Sequence, residues 1–200
     1  MSTGKRALSQ RKRPRQARAK QTVEWVLIAA ARVFRREGFA ATTNRIAEEA
    51  GVSVGSLYEY FPNKQALLAT LAERHVLEAE TGIARALAEG DSIRGLLTGL
   101  QAAIAASHRY PSQALEFVAD AGLDARVGEL RQRVLGAIET SLERERPELA
   151  PRSRELARVA LGTIGTLTSQ MTYTAEDEIV AKAYAEALLD MTARYLEQHE

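Results

Sequence analysis

Apolar residues return along this chain at intervals of three and four, the spacing that places them on one face of an α-helix, and past Lys64 no strand-like alternation breaks the pattern. The predicted class is all-α. A first helix is expected from about Val23 to Arg36, with Thr22 as its cap and Gly38 as its terminator. Val26, Leu27, Ala30, Val33 and Phe34 make its inward stripe, Arg32, Arg35, Arg36 and Glu37 lie mainly outside, and Phe39 is expected to pack back onto the stripe. The rhythm then shortens. Thr43 is placed to cap a brief helix whose apolar residues are Ile46, Ala47 and Ala50, Gly51 supplies the left-handed turn, and Val52 plugs the angle that follows. Ser53 caps a second brief helix, from about Val54 to Tyr60. Leu57 and Phe61 point inward there, which turns Gly55, Ser56 and Glu59 outward and leaves Val54, Tyr58 and Tyr60 on the flanks. Pro62 stops this helix, and Asn63 caps the one that carries Lys64 onward. Two short helices around a glycine turn are a helix-turn-helix, and small outward residues on the second let it enter a DNA groove.

The remaining pattern is a succession of longer helices. One reaches from Lys64 to about Glu89, with Leu67, Leu68, Leu71 and His75 on one face, Val76, Ile83 and Leu87 on another, and Gly82 as an expected irregularity. Asp91 or Ser92 starts a helix through Leu96, Leu97 and Leu100, and Pro111 opens another that extends to about Ala121. Asp124 begins a longer one that runs through Leu142, and Pro147 and Pro151 mark the next break. The last two helices are expected from about Arg152 to Thr172 and from Glu176 to Glu197. Each carries an apolar stripe: Leu156, Val159, Ala160, Thr163, Ile164 and Leu167 on one, and Ile179, Val180, Ala183, Ala187, Leu188, Met191 and Tyr195 on the other, with Gly162 and Gly165 permitting close helix approach.

Charge changes the picture more than composition does. The formal total of +1 conceals eight cations and no acid in the first twenty residues, which leaves a balance of −7 on the rest. The organisation read from this is a basic flexible arm over 1–20, a helix-turn-helix domain over 21–66 and a helical body over 67–200. Such an arm suits nonspecific, salt-dependent phosphate affinity, although a merely solvated tail has the same composition. There is no cysteine, so disulfides and thiolate chemistry are excluded. No secretory signal core and no long uncharged apolar run is present, and a soluble cytoplasmic protein is the expectation.

Thr42-Thr43, Ile46-Ala47, Ala50-Gly51-Val52-Ser53, Gly55-Ser56-Leu57-Tyr58, Tyr60-Phe61 and Asn63-Lys64 together resemble the tetracycline-repressor (TetR) family of bacterial transcription regulators. The resemblance extends back over Arg18 to Gly38, and beyond about Val76 only the all-helical pattern continues it. It implies a three-helix DNA-binding head followed by a helical ligand-binding and dimerisation domain. Thr43 would contact phosphate, with Asn44 and Arg45 reaching phosphate or base edges. Beside the capping Ser53, the residues Val54, Gly55 and Ser56 would read bases, while Tyr58, Tyr60 and Lys64 hold the backbone on either side. Glu59 departs from this pattern: it faces outward and repels phosphate unless Arg45 or another cation pairs with it, or a cytosine amino group donates to it.

The resemblance further implies a homodimer through the last two helices, a double-stranded near-palindromic operator and a small-molecule effector, with no cofactor. Ligand-lining candidates are Gln101, His108, Tyr110, Phe117, Asp120, Thr163, Thr166, Gln170 and Tyr173, polar or aromatic residues that could anchor a ligand in a mostly apolar cavity. An enzyme is not expected. His75, His108 and His199 are too dispersed for a metal cluster, and Glu143, Glu145 and Glu148 beside Arg144 and Arg146 read as a solvated helix end rather than an acid-base pair. The competing class is a constitutive DNA-binding or architectural protein, or a regulator controlled by a protein partner.

Overall fold

The computed structural model describes residues 17–106, 110–119, 121–174 and 178–198, with side chains described except at 17–18, 167–182, 184–185 and 197–198. Among the described residues the regular structure is helical throughout, in the order α1 (Ala17–Glu37), a 3-10 turn (Gly38–Ala40), α2 (Thr43–Ala50), α3 (Val54–Tyr60), α4 (Lys64–Glu89), α5 (Ile93–Ala106), α6 (Ser112–Leu115), α7 (Asp124–Glu145), a 3-10 stretch (Pro147–Arg152), α8 (Ser153–Thr174) and α9 (Glu178–Gln198). No described helix is long and apolar enough to cross a membrane. The described residues within Met1–Val76 and Arg109–Asp124 form one compact unit, and those within Leu77–His108 and Ala125–Glu200 form a second.

In the first unit, the stripe of Val26, Leu27, Ala30, Val33 and Phe34 is fully buried, as its spacing required, against Ile46, Ala47, Leu57, Phe61, Leu67, Leu68 and Leu71. Helix α1 begins at Ala17, so Thr22 lies inside it and is not its cap. Ala17, Arg18, Ala19, Lys20 and Gln21 are all strong helix formers, and nothing among them stops propagation back from the buried stripe. Gly38 ends the helix with φ 58°, but Phe39 is 46% exposed instead of packing back. The helical period ends at Gly38, and a side chain in the 3-10 turn that follows no longer projects onto the stripe. Arg74 ties α4 to α1 by donating to Glu24 at 2.8 Å, and that hydrogen bond holds the Glu24 carboxyl below the usual carboxylate range against the opposing effect of partial burial.

The segment after Pro111 departs from the sequence reading. Pro111 is an extended N-cap, α6 spans four residues, and residues 116–119 and 121–122 are short-range turns, with Gly122 at φ 71°. Tyr110, Ala114 and Leu123 enter the first unit's core, with Phe117, Val118 and Ala121 packed against it. A straight helix to Ala121 would present only one face to that core, whereas the turns deliver residues along most of the segment.

The second unit is built on close helix approach. A Cβ added at Gly82 would lie 2.8 Å from Ala103 Cβ, and one added at Gly99 would lie 2.7 Å from Ala86 Cβ. The partners rise along α4 as they fall along α5, so the two segments run antiparallel with small residues interleaved. Gly82 therefore marks contact, not irregularity, and α4 continues unbroken through it. Leu96, Leu97 and Leu100 from α5 meet Val134, Ile138 and Leu142 from α7 and Leu156, Ala160 and Ile164 from α8 in the second core. The charged end of α7 is more than a solvated terminus. Glu145 accepts the Ile93 amide at 2.7 Å, Arg144 donates to the Asp91 carbonyl at 2.9 Å, and the Ser153 hydroxyl donates to Glu143 at 2.8 Å.

Gly82→Leu should destabilise the protein by about 1–3 kcal/mol through overpacking, despite leucine's better helix propensity. Gly136→Ala, at a glycine of α7 with no neighbour within 4 Å, should stabilise it by about 0.5–1 kcal/mol. Urea denaturation of both variants checks the pair, and a stabilising Gly82→Leu would show that the close approach imposes no constraint.

Candidate nucleic-acid interface

Helices α2 and α3 have eight and seven residues, so at least half of their backbone groups have no partner within the helix and must find one outside it. Thr42 caps α2: its Oγ1 accepts from the Arg45 amide at 3.3 Å, while Thr43 is the first helical residue. The sequence reading places the cap one residue too late, because two adjacent threonines offer the same chemistry and only the backbone distinguishes them; Thr42 is extended at φ −114°, ψ 153°. At the other end Gly51 adopts φ 66° and its amide bonds back to the helix, as a left-handed terminator does. Ser53 caps α3 by accepting from the Ser56 amide at 3.0 Å, and Asn63 caps α4 by accepting from the Ala66 amide at 2.8 Å. Both assignments agree with the sequence.

This arrangement releases the Thr43 hydroxyl from capping, and it meets the Tyr58 hydroxyl at 2.9 Å. The contact joins the start of α2 to the outer face of α3 and sets two hydroxyls side by side. Leu57 and Phe61 are fully buried, which leaves Val54, Gly55, Tyr58 and Glu59 exposed and Ser56 half-buried on the other side of α3. A Cβ on Gly55 would meet nothing closer than Ser53 Oγ at 3.8 Å. No internal packing explains the missing side chain at this outward position. Asn44 and Arg45 are exposed beside this surface.

Two expected backbone contacts are placed differently. Tyr60 is 8% exposed and its ring belongs to the first unit's core, so the flank position proposed for it is largely closed. Its i+3 spacing from Leu57 carries it inward. The Lys64 ammonium donates to the Phe39 carbonyl at 2.6 Å and reaches the Ala41 carbonyl at 3.5 Å, tying α4 to the turn before α2. Arg45 does not pair with Glu59: it bonds Glu48 at 2.6 Å and lies 3.6 Å from Glu37. Arg36 donates to Glu49 at 3.0 Å, which lowers the Glu49 carboxyl from its usual range and raises the already basic guanidinium. The Arg45–Glu48 pair was open to sequence reasoning through its i,i+3 spacing, whereas Glu37, on another element, was not.

The described ligand candidates belong to both units. Tyr110 packs edge-on against His75, at 5.6 Å between ring centroids, and with Phe117 it belongs to the first unit. Gln101 is buried in the second unit, where Thr163 is half-buried and Thr166 exposed. His108 and Asp120 lie outside the described residues, as do the side chains of Gln170 and Tyr173 and the residues of the arm before Ala17. No group of three or more histidine, aspartate or glutamate side chains that could hold a metal occurs among the described residues.

Residues 26–71 match the family described as bacterial regulatory proteins, tetR family. Among solved structures, the chain is similar to the TetR family transcriptional regulator PfmR from Thermus thermophilus, with a TM-score of 0.63 and 17% identity over 84% of this chain and 97% of that one. A TetR-like transcriptional regulator from Rhodococcus sp. RHA1 gives a TM-score of 0.63 and 22% identity over 94% and 100% of the two chains. AibR, in complex with isovaleryl coenzyme A and operator DNA, gives 0.58 and 15% over 85% and 97%.

Thr42→Ala should cost about 1 kcal/mol of stability through loss of the α2 cap, while Thr43→Ala should leave stability nearly unchanged. Thermal denaturation of the two variants decides this, and a larger loss from Thr43→Ala would return the cap to that residue.

Proposed function

We infer that this chain, whose helix-turn-helix matches the TetR family over residues 26–71, is a transcriptional regulator that binds a near-palindromic operator as a homodimer and leaves it on taking up a small molecule. The observation that carries the reading is the capped α3, buried through Leu57 and Phe61 while Val54, Gly55 and Tyr58 remain accessible. Val54 and Gly55 offer no side-chain hydrogen bonds, so base reading there rests on thymine methyl contact and close approach, with Ser56 adding a hydroxyl. Thr43 and Tyr58 supply paired hydroxyls for phosphate, Asn44 and Arg45 extend the contact, and Ser53 anchors the helix start. Lys64 and Tyr60 support the backbone contacts from behind, through the tie to Phe39 and through the core. The proposed division is the arm over 1–20, the DNA-binding head over 21–66 and the regulatory and dimerisation domain over 67–200. The arm adds nonspecific affinity through its eight cations. No enzymatic role enters this reading, and the protein's place is the cytoplasm, where its operator lies.

Helices α8 and α9 support the dimer. Leu156, Ala160 and Ile164 turn into the second core, and Leu188 is also buried. Val159, Gly162 and Thr166 are exposed on α8, and Ala183, Ala187, Met191 and Tyr195 are exposed at four-residue spacing on α9. A second copy covers this largely apolar face. A twofold dimer then presents two copies of α3 about 34–36 Å apart, or a further helical turn apart, to successive major grooves. Effector coupling runs through α4, which contributes Leu67, Leu68, Leu71 and Val76 to the first core and Ala86 to the second. AibR is held with both an acyl-coenzyme A and its operator, and such thioesters are the first class to offer as effectors.

Selection from a random duplex pool at near-physiological salt should enrich a palindromic motif bound by a dimer. Enrichment of no sequence, with binding lost on deleting residues 1–20, would overturn the helix-turn-helix assignment. Met191→Lys, at a position 56% exposed and thus tolerant of charge in the monomer, should weaken dimerisation at least tenfold, about 1.4 kcal/mol, in analytical ultracentrifugation. An unchanged dimer would move the interface elsewhere. Release of the selected operator by an acyl-coenzyme A supports the sensor reading, and release by no small molecule supports constitutive binding or control by a protein partner.

A further inference from the structure

Arg45 is already occupied. Its Nη1 donates to Glu48 Oε2 at 2.6 Å and its Nε lies 3.6 Å from Glu37 Oε1, so a carboxylate of its own helix and one at the end of α1 hold the guanidinium from two sides. Glu37 also lies 3.9 Å from Arg36 Nη2, and that nitrogen donates to Glu49 at 3.0 Å. Glu48, Arg45, Glu37, Arg36 and Glu49 thus alternate in charge along α2 and the end of α1. These side chains are substantially solvent-accessible, and exposed pairs of this kind contribute little to stability. Their consequence falls on what Arg45 can bind.

Residues 42–64 carry two cations, Arg45 and Lys64, against three carboxylates, Glu48, Glu49 and Glu59. Lys64 is engaged with the Phe39 carbonyl. Binding to arbitrary DNA is driven by net phosphate neutralisation and counterion release, and an arginine with two carboxylates beside it adds little to either. A planar pair of acceptors, such as guanine O6 and N7 or two oxygens of one phosphate, accepts in parallel from the guanidinium fork, which two separate carboxylates on different elements do not do here. We propose that Glu37 and Glu48 are selectivity residues: they clamp Arg45, suppress its binding to arbitrary DNA, and yield it to the correctly placed acceptors of the operator. The proposal rests on Arg45 being a DNA contact.

The test measures Glu48→Gln, Glu37→Gln and Glu49→Gln, each with Arg45 intact and with Arg45→Ala, on the selected operator and on a scrambled duplex over a range of salt. Glu48→Gln and Glu37→Gln should tighten scrambled-duplex binding roughly two- to fivefold, the range that exposed charge pairs span, with a smaller gain on the operator. For Glu48→Gln the salt slope should steepen by up to about 0.9, one added phosphate contact, and the gain should vanish with Arg45→Ala; for Glu37→Gln, whose carboxylate also lies 3.9 Å from Arg36, the gain should fall with Arg45→Ala without vanishing. Glu49→Gln makes the same charge change on the same helix but frees Arg36, so its gain should survive Arg45→Ala. Equal gains from all three variants, unaffected by Arg45→Ala, would reduce the effect to net charge and overturn the clamp while leaving Arg45 as a contact. Operator binding that ignores Arg45→Ala would remove the contact itself, and the clamp with it.

Discussion

The DNA-binding head depends on satisfying the backbone at the ends of two very short helices. Helices of eight and seven residues are too short to be stable alone, since nucleation orders several residues before hydrogen bonds return the cost. They persist because Ile46, Ala47, Leu57 and Phe61 are buried and because each boundary has a chemical answer: Thr42 and Ser53 at the starts, Gly51 at the first end, Asn63 at the start of α4. With those groups satisfied locally, the outward side chains of α3 are left for a partner. Even the lysine in the first turn of α4, where the helix dipole disfavours a cation, is accommodated by the carbonyls of Phe39 and Ala41.

That solution makes the head electrostatically modest. Its helix-turn-helix is not a cationic surface: the acids of α2 and α3 outnumber the cations of residues 42–64, and the nearby arginines 36 and 45 hold carboxylates. Positive charge without acids is concentrated instead in the first twenty residues. In the proposed function such segregation would separate two tasks that a uniformly basic head would combine. Sequence-independent affinity follows the number of phosphates neutralised, whereas discrimination follows geometry at base edges and at fixed phosphates.

What could be read in the sequence follows the range of the interactions concerned. Caps, glycine turns and the stripe from Val26 to Phe34 are local, and the structure places most of them where spacing put them. The misplaced cap at Thr43 and the late start at Val23 are local errors, one from equivalent neighbouring residues and one from undervaluing helix propensity in a basic stretch. The larger differences are nonlocal. Gly82 reads as a weak point in the sequence, whereas Ala103 packs directly against it, and the helix expected after Pro111 gives way to turns that serve the first unit's core. Tyr110 and Phe117 follow that segment into the first unit's core, because tertiary packing rather than period decides where an amphipathic side chain goes.

Helix α4 gives the proposed regulation its physical content. Its hydrogen-bonded ladder is continuous from Lys64 to Glu89, with Leu67, Leu68, Leu71 and Val76 in one core and Ala86 in the other. In the second unit its contact with α5 is made by glycine and alanine pairs, at distances that leave no side chain to absorb a displacement. Interleaved surfaces of this kind respond by moving to another register or rotation rather than by compressing, as close-packed interiors generally do. An effector would therefore act by favouring one position of α4 over another. Its power to release DNA is bounded by its differential affinity for the two positions, however tightly it binds either.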